Sequence, residues 1–178
     1  MLDYVLNENR KYEYGCVMLY FDFPILDKIH KVIDPNDVYE EEDDDSFGLE
    51  TEPHVTLLFG LHKEVTDEDV KKVLDSLKFS PITLSKLSIF NTNPDYDVLK
   101  FDIEDTGGGH ILYEANKKLK KYPFTSNFPD YHPHMTVGYL KSGTGNKWVK
   151  KIKTQKFTLT PDYAVYSKPN KEKTKFNI

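Results

Sequence analysis

The sequence contains only one cysteine and one tryptophan among 178 residues, and it has no long apolar run. A single cysteine, Cys16, excludes an internal disulfide and any metal site built from several cysteines. No stretch approaches the roughly 20 apolar residues of a membrane span, and the N-terminus has no signal-peptide pattern. The length suits one domain over residues 1–178. We therefore expect a monomeric protein of the cytoplasm that does not associate with membranes.

Glycine-rich phosphate-binding motifs are also missing. Three glycines occur together at 107–109, but neither Gly-x-x-x-x-Gly-Lys-Ser/Thr nor Gly-x-Gly-x-x-Gly is present, which favours a linker into a helix. His-Glu-x-x-His is absent, and the acidic run lacks the Asp-x-Asp-x-Asp-Gly spacing of a calcium loop. The usual sequence motifs for nucleotide, zinc and calcium sites therefore do not explain this chain.

The charge is unevenly distributed along a chain whose net charge is -5. Every charged residue between 34 and 52 is acidic, whereas ten lysines follow from position 141 onward, against only Asp162 and Glu172. We expect a mobile acidic loop over 34–52, near the functional cleft, and a disordered lysine-rich tail over 168–178. A local basic lip would favour a small phosphorylated ligand, while the overall acidity argues against binding of long nucleic acid.

One pattern occurs twice and dominates the sequence. Pro53-His54-Val55-Thr56 and Pro133-His134-Met135-Thr136 both read Pro-His-x-Thr and both open an apolar run. Because side chains alternate along a strand, each copy puts an imidazole and a hydroxyl on one face. Two such strands, facing each other, could hold a phosphate between His54, Thr56, His134 and Thr136.

This pairing indicates metal-free acid–base chemistry on a phosphate ester. One neutral imidazole would accept a proton from the attacking hydroxyl, and the other, protonated, would donate to the leaving oxygen. Thr56 and Thr136 would bind the non-bridging oxygens. The alternative is a zinc site at Asp130, His132 and His134, which we rank lower because symmetric threonines are poor zinc ligands. The pattern predicts no cofactor, and it does not assign acid and base.

The hydrophobic periodicity predicts an α+β arrangement of two similar halves. We expect strands over 15–23, 54–61, 82–90 and 96–103, a strand from 134, and two final strands over 156–160 and 163–167. Helices are expected over 24–33, 66–77 and 110–121, with a short element over 147–152.

The paired His-x-Thr strands resemble the 2H phosphoesterase superfamily over about residues 12–168. The resemblance implies a bilobal, pseudo-two-fold fold in which two antiparallel sheets line a central groove and helices pack outside. A narrower resemblance, carried by residues 52–62, 128–137 and 141–145, is to phage anti-CBASS phosphodiesterases. It implies metal-independent hydrolysis of the 3′-5′ linkages of cyclic di- and trinucleotide messengers, which would counteract bacterial CBASS immunity inside an infected host.

Three residues are candidates for substrate binding. The family places an aromatic residue near Tyr12, and Trp148 could stack on a second base, although ordinary packing explains either residue as well. Lys147 could contact a phosphate or be solvated. Two other functions stay open: an RNA-end enzyme that opens 2′,3′-cyclic phosphates or cuts 2′-5′ linkages, and a non-catalytic sponge that sequesters the nucleotide.

Overall fold

The computed structural model describes residues 14–178, and it confirms the α+β class. Tyr12 lies outside the described residues. The helices within this part are α1 (Ile25–His30), α2 (Asp67–Asp75), α3 (Gly108–Leu119) and α4 (Gly145–Lys151), and the strands are β1 (Gly15–Phe21), β2 (His54–Leu61), β3 (Ile82–Phe90), β4 (Tyr96–Ile103), β5 (His134–Lys141), β6 (Phe157–Leu159), β7 (Pro161–Ser167) and β8 (Lys173–Asn177). None of these helices is long and apolar enough to cross a membrane.

The expectation of two separate sheets is wrong, because the strands form one antiparallel sheet in the order β6-β3-β4-β5-β2-β1-β7-β8. Four strands lie on each side of the junction between β2 and β5. At that junction β2 and β5 are in register at one residue pair, Val55 opposite Met135. These are the middle residues of the two motifs, so the two halves of the sheet are joined where the motifs meet.

The two faces of the sheet are chemically different. Val55 and Met135 are fully buried in the hydrophobic core, together with Leu57 on β2 and Leu99 on β4. Helix α3 packs against this core face of β2, and its Asn116 amide donates a 2.7 Å hydrogen bond to the Leu57 carbonyl. Burying an apolar side chain such as Val55 or Met135 contributes about 1.5–3 kcal/mol to the stability of the fold. Because alternate residues point the other way, the histidines and threonines of the motifs lie on the opposite face of the sheet, which we call the groove side.

The local signals at helix α2 confirm the sequence prediction of its start. The Thr66 hydroxyl accepts from the Asp69 backbone N–H at 3.2 Å, and the Asp69 carboxylate accepts from the Thr66 N–H at 3.0 Å. This reciprocal pair is a capping box, which satisfies two backbone donors that the first helical turn leaves free.

The acidic segment is held against β5, which differs from the mobile loop expected. Val38 pairs with Leu140 and Leu49 pairs with Gly138, and the Glu50 N–H donates to the Val137 carbonyl at 3.0 Å. Phe47 packs in an aromatic cluster with Tyr39, Tyr96 and Tyr139. These half-buried aromatic contacts outweigh the repulsion among carboxylates that remain at the surface, and composition alone does not show them.

The lysine-rich tail is also ordered, because it contains strand β8 paired along β7. Phe176 anchors this strand in the core, and the Thr174 hydroxyl donates to the Asp67 carboxylate at 2.9 Å. Lys173 and Lys175 alternate with these anchors and remain exposed. The tail that was expected to be disordered is therefore an edge strand, in which one buried apolar residue alternates with exposed lysines.

Candidate active site

The two motifs lie side by side in opposite directions. Since Val55 is opposite Met135 in an antiparallel pair, His54 is opposite Thr136, and Thr56 is opposite His134. The two histidines are thus diagonal neighbours across the strands, a relation that places side chains roughly 7–8 Å apart. The arrangement has room for a phosphate between the imidazoles, with one hydroxyl beside each ring.

Both imidazoles are held by the same backbone contact. Nδ1 of His54 donates to the Glu52 carbonyl at 2.8 Å, and Nδ1 of His134 donates to the His132 carbonyl at 2.8 Å. A carbonyl only accepts, so Nδ1 carries the proton in each ring and Nε2 is free to exchange one. The intervening Pro53 and Pro133 favour extended backbone in the residue before each of them, which helps to fix these carbonyls.

The environment of His134 favours its neutral form. Burial is the main reason that the pKa of His134 lies below its ordinary value. The positive charges of Lys100 and His54 act in the same direction, whereas the His132 carbonyl and the Asp102 carboxylate act against it. The balance leaves His134 suited to accept a proton near neutral pH.

His54 lies in a different environment, at the end of an aromatic column. The Glu50 carboxylate is 3.7 Å from its Nδ1 and would form an ion pair with a protonated ring. The Tyr20 ring lies 5.5 Å from the imidazole and stacks on Tyr163 at 5.1 Å, with the Lys175 ammonium 3.8 Å from the Tyr163 ring. The acidic segment therefore contacts the first motif directly, whereas strand β8 is connected to it only through the rings of Tyr163 and Tyr20.

A partly buried ionic cluster next to the second motif was missed from the sequence. Lys100 is opposite Thr136, and Asp102 is opposite His134, in the register of β4 with β5. The Lys100 ammonium donates to the Asp102 carboxylate at 2.5 Å and to the Ser88 hydroxyl at 2.6 Å. The available signal was the alternation in strand 96–103, where Lys100 and Asp102 share the face opposite the apolar residues.

Thr56 is held by neighbours from two segments, the loop before β5 and strand β1. The Tyr131 hydroxyl donates to the Thr56 carbonyl at 2.8 Å, which ties the loop before β5 to β2. Burial raises the pKa of the Cys16 thiol to about 12, although a hydrogen bond with the Thr56 side chain lowers it in part. Cys16 is therefore a neutral thiol that supports Thr56, and it does not act as a nucleophile.

The structure does not bring Trp148 and Lys147 to the groove. Trp148 is only 2% exposed, on the core side of β3 and β4, and its indole N–H donates to Asp37 at 2.8 Å. Lys147 pairs with the same carboxylate at 2.5 Å. Neither ring face of Trp148 is available for a base, so packing explains this residue and an ion pair explains Lys147. The role expected for Tyr12 stays a prediction.

No group of three or more His, Cys, Asp or Glu side chains in the described part of the chain is arranged to hold a metal ion. The zinc site considered at Asp130, His132 and His134 is therefore not assembled among residues 14–178. The Nδ1 atom of His134 is used by the backbone bond described above.

Comparison with known proteins was made at the levels of sequence and structure. No protein-family model matches the chain, and no curated protein matches it. In structure it is similar to Usb1 of Kluyveromyces marxianus, with a TM-score of 0.61 at 10% identity over 93% of this chain and 98% of that one. For Usb1 with uridine monophosphate the TM-score is 0.58 at 12% identity, over 94% and 99% of the two chains.

Escherichia coli LigT complexed with 3′-AMP aligns less well, with a TM-score of 0.49 at 15% identity over 93% of this chain and 96% of that one. At these identities, a structural likeness shows the fold alone. The similarity to Usb1 extends over nearly the whole of both chains. The chain therefore has the α+β fold of Usb1.

Proposed function

We propose that this protein is a metal-independent phosphodiesterase that cleaves 3′-5′ linkages between nucleotides. The observation that supports this most strongly is the antiparallel pairing of the motifs at Val55 and Met135. That pairing aligns two imidazoles and two hydroxyls on one face, which are the groups that in-line displacement at phosphorus requires. A fold shared with Usb1 agrees with the proposal.

The environments of the histidines support distinct roles. His134, whose pKa is lowered mainly by burial, would accept the proton of the adjacent ribose 2′-hydroxyl through Nε2. His54, with Glu50 available to pair with its protonated ring, would donate a proton to the 5′-oxygen. The 2′-oxygen then bonds to phosphorus as the bond from phosphorus to the 5′-oxygen breaks. The products carry a 2′,3′-cyclic phosphate and a 5′-hydroxyl, and water could open the cyclic phosphate afterwards.

The threonines would hold the phosphate during this displacement. Thr136 lies beside His54 and Thr56 beside His134, so each hydroxyl could donate to a non-bridging oxygen. The Lys100 ammonium, opposite Thr136 in the sheet, would add positive charge on one side. Donors already in place when negative charge develops lower the barrier without reorganising.

Cyclic di- and trinucleotides are the proposed substrates, and counteracting bacterial CBASS immunity is the proposed role. The support is the resemblance to anti-CBASS phosphodiesterases carried by both motifs and the segments beside them. The exposed Lys173 and Lys175 on β8 add positive charge to the half of the sheet that contains His54, with the Lys175 ammonium over the Tyr163 ring. Such charge favours a small ligand with more than one phosphate.

The second candidate is an RNA-end enzyme of the same type, acting on terminal nucleotides or 2′,3′-cyclic phosphates. One observation favours it: Usb1, which shares the fold, has a solved structure with uridine monophosphate. In this case the substrate would be a chain end instead of a ring.

A substrate panel in EDTA separates these functions. The panel contains 3′,3′-cyclic dinucleotides, a cyclic trinucleotide, 2′,3′-cyclic mononucleotides and a 2′-5′ oligoadenylate, with products identified by mass spectrometry. Cleavage of the cyclic oligonucleotides to 2′,3′-cyclic phosphates supports the proposal. Turnover of only the mononucleotides or the 2′-5′ substrate favours the RNA-end enzyme, and tight binding without turnover indicates a sponge. Activity that requires added zinc contradicts the metal-free mechanism.

A further inference from the structure

An open pocket of about 360 Å³ adjoins the second motif, and the reaction described above does not use most of it. Its volume lies within the range of small-molecule sites, roughly 300–1,000 Å³. Its lining comes from β3, β4, the loop after β4, α3 and the loop before β5, and includes Phe90, Lys100, Asp102, Asp105, Tyr113 and His132. The Phe90 ring meets the His134 imidazole edge to face at 4.9 Å, so the pocket begins beside the reacting groups.

The charges of the pocket do not suit a phosphate. In the described part of the chain Lys100 is the only lysine that lines it, and that ammonium is already paired with Asp102. Asp105 adds a second carboxylate, whose Oδ1 accepts the Tyr113 hydroxyl at 3.0 Å. The two carboxylates exceed the single ammonium, so an anionic group is repelled, whereas a neutral group that donates hydrogen bonds is not.

The pocket also offers free hydrogen-bond acceptors. Oδ1 of Asp102 accepts from both Lys100 and Ser88, and Oδ1 of Asp105 accepts from Tyr113. Within residues 14–178, neither Oδ2 atom accepts a hydrogen bond. Two carboxylate oxygens are therefore available for donors on a ligand, and hydrogen bonds to a charged acceptor are stronger than those between neutral groups.

Within residues 14–178, the other half of the site has no equivalent of this cluster. In the register of β1 with β2, the residues opposite His54 and Thr56 are Tyr20 and Met18. In the register of β4 with β5, the residues opposite His134 and Thr136 are Asp102 and Lys100. The motifs are alike, but the flanking strands present aromatic and thioether groups on one side and an ion pair on the other. Such asymmetry distinguishes the two ends of a substrate.

We propose that this pocket is a nucleobase subsite, in which Asp102 and Asp105 accept hydrogen bonds from an amino-bearing base held beside His134. Guanine, adenine and cytosine carry amino groups, whereas uracil does not. A carboxylate accepting from a base amino group is a known recognition pair, as with the amino group of cytosine. The inference rests on the proposed function, because it treats the ligand as a nucleotide.

Isothermal titration calorimetry with 3′-GMP, 3′-AMP, 3′-CMP and 3′-UMP tests the pocket without requiring turnover. We expect the wild-type protein to bind the three amino-bearing nucleotides at least about tenfold more tightly than 3′-UMP, the gain of one good charge-assisted hydrogen bond. In Asp105→Asn this preference should shrink about tenfold, with little change for 3′-UMP. Asp105 is exposed and outside the ion pair with Lys100, so this variant should fold.

Two further variants complete the test. Asp102→Asn should also weaken the binding of the amino-bearing nucleotides selectively. Asp162→Asn, at an exposed position on β7, should leave the affinity for all four nucleotides unchanged. Equal binding of 3′-UMP and the others by wild type, or an equal loss for all four in Asp105→Asn, overturns the subsite. Turnover of the phosphodiester panel is measured on the same preparations. Absence of turnover with base preference intact contradicts the enzyme and not the pocket.

Discussion

The ion pair between Lys100 and Asp102 supplies a direct test of how the second half of the groove is held together. The Lys100 side chain is 7% exposed and that of Asp102 is 31% exposed. Lys100→Met keeps a similar length and apolar stem but removes the ammonium. The variant leaves the Asp102 carboxylate with only the Ser88 hydroxyl, which donates at 2.7 Å.

The expected cost follows from these exposures. Breaking a fully buried ion pair costs about 3–5 kcal/mol, and an exposed pair contributes about 0–1 kcal/mol. With one partner buried and the other partly exposed, we expect Lys100→Met to lower the free energy of unfolding by about 2–3 kcal/mol, between those two limits. At about 2–4 °C per kcal/mol for a chain of this size, the melting temperature should fall by about 5–10 °C.

Urea unfolding followed by fluorescence measures this loss, since Trp148 is the only tryptophan and is buried. Asp102→Asn should also destabilise the protein, because it leaves the ammonium without a carboxylate. The double variant should be less destabilised than the sum of the single ones, because neither charge is then left alone. A loss below about 0.5 kcal/mol in Lys100→Met, or strict additivity, would refute the reasoning.

Three further predictions concern the pH profile, the backbone and the tryptophan. The acid limb of the pH profile of kcat/KM should have its midpoint below about pH 6.5, the ordinary histidine value, because the lowered pKa of His134 keeps the base deprotonated. Lys100→Met should move this midpoint upward. A wild-type midpoint above pH 7 would contradict the assignment of His134 as the base. In urea unfolding, Gly60→Ala should lower the free energy of unfolding by at least about 1 kcal/mol more than Gly143→Ala does, because only the first substitution creates a steric clash. Both glycines have positive φ, but a Cβ at Gly60 would lie 1.9 Å from a carbonyl oxygen, whereas one at Gly143 would meet nothing within 4 Å. Equal losses of stability in the two variants would show that the backbone strain at positive φ, and not the clash, sets the cost. Trp148→Phe should lose about 1 kcal/mol with the indole hydrogen bond but keep nucleotide affinity in calorimetry, and a tenfold loss of affinity would restore Trp148 as a binding residue.

The motifs were predictable because their chemistry is local. Alternation along a strand places each histidine and threonine on one face, and the fold then pairs the strands at Val55 and Met135. Apart from β8, strand and helix positions in the described chain follow the hydrophobic periodicity closely, as at the capping box of Thr66. Short-range patterns of this kind depend on residues that are close in sequence, so they can be predicted without knowledge of the tertiary structure.

The features that were missed depend on contacts between distant segments. The acidic segment looked mobile because its carboxylates dominate the composition, whereas Phe47 and Leu49 fix it to β5. The single sheet depends on a bridge between residues eighty positions apart. Trp148 looked like a base platform because a lone tryptophan is conspicuous, but only the fold shows that Asp37 satisfies its indole. Lys100 and Asp102 were hidden in an ordinary alternating strand.

The most direct test of the central claim is turnover of the cyclic oligonucleotide panel in EDTA by single histidine variants. His54→Ala and His134→Ala should each lose at least about 100-fold in kcat, the lower limit typical of general acid–base catalysis. His110→Ala is the matched control, because His110 is 68% exposed on α3 and takes no part in the site. Full activity in either motif variant, or an equal loss in the control, would contradict the account of two histidines acting across one phosphate.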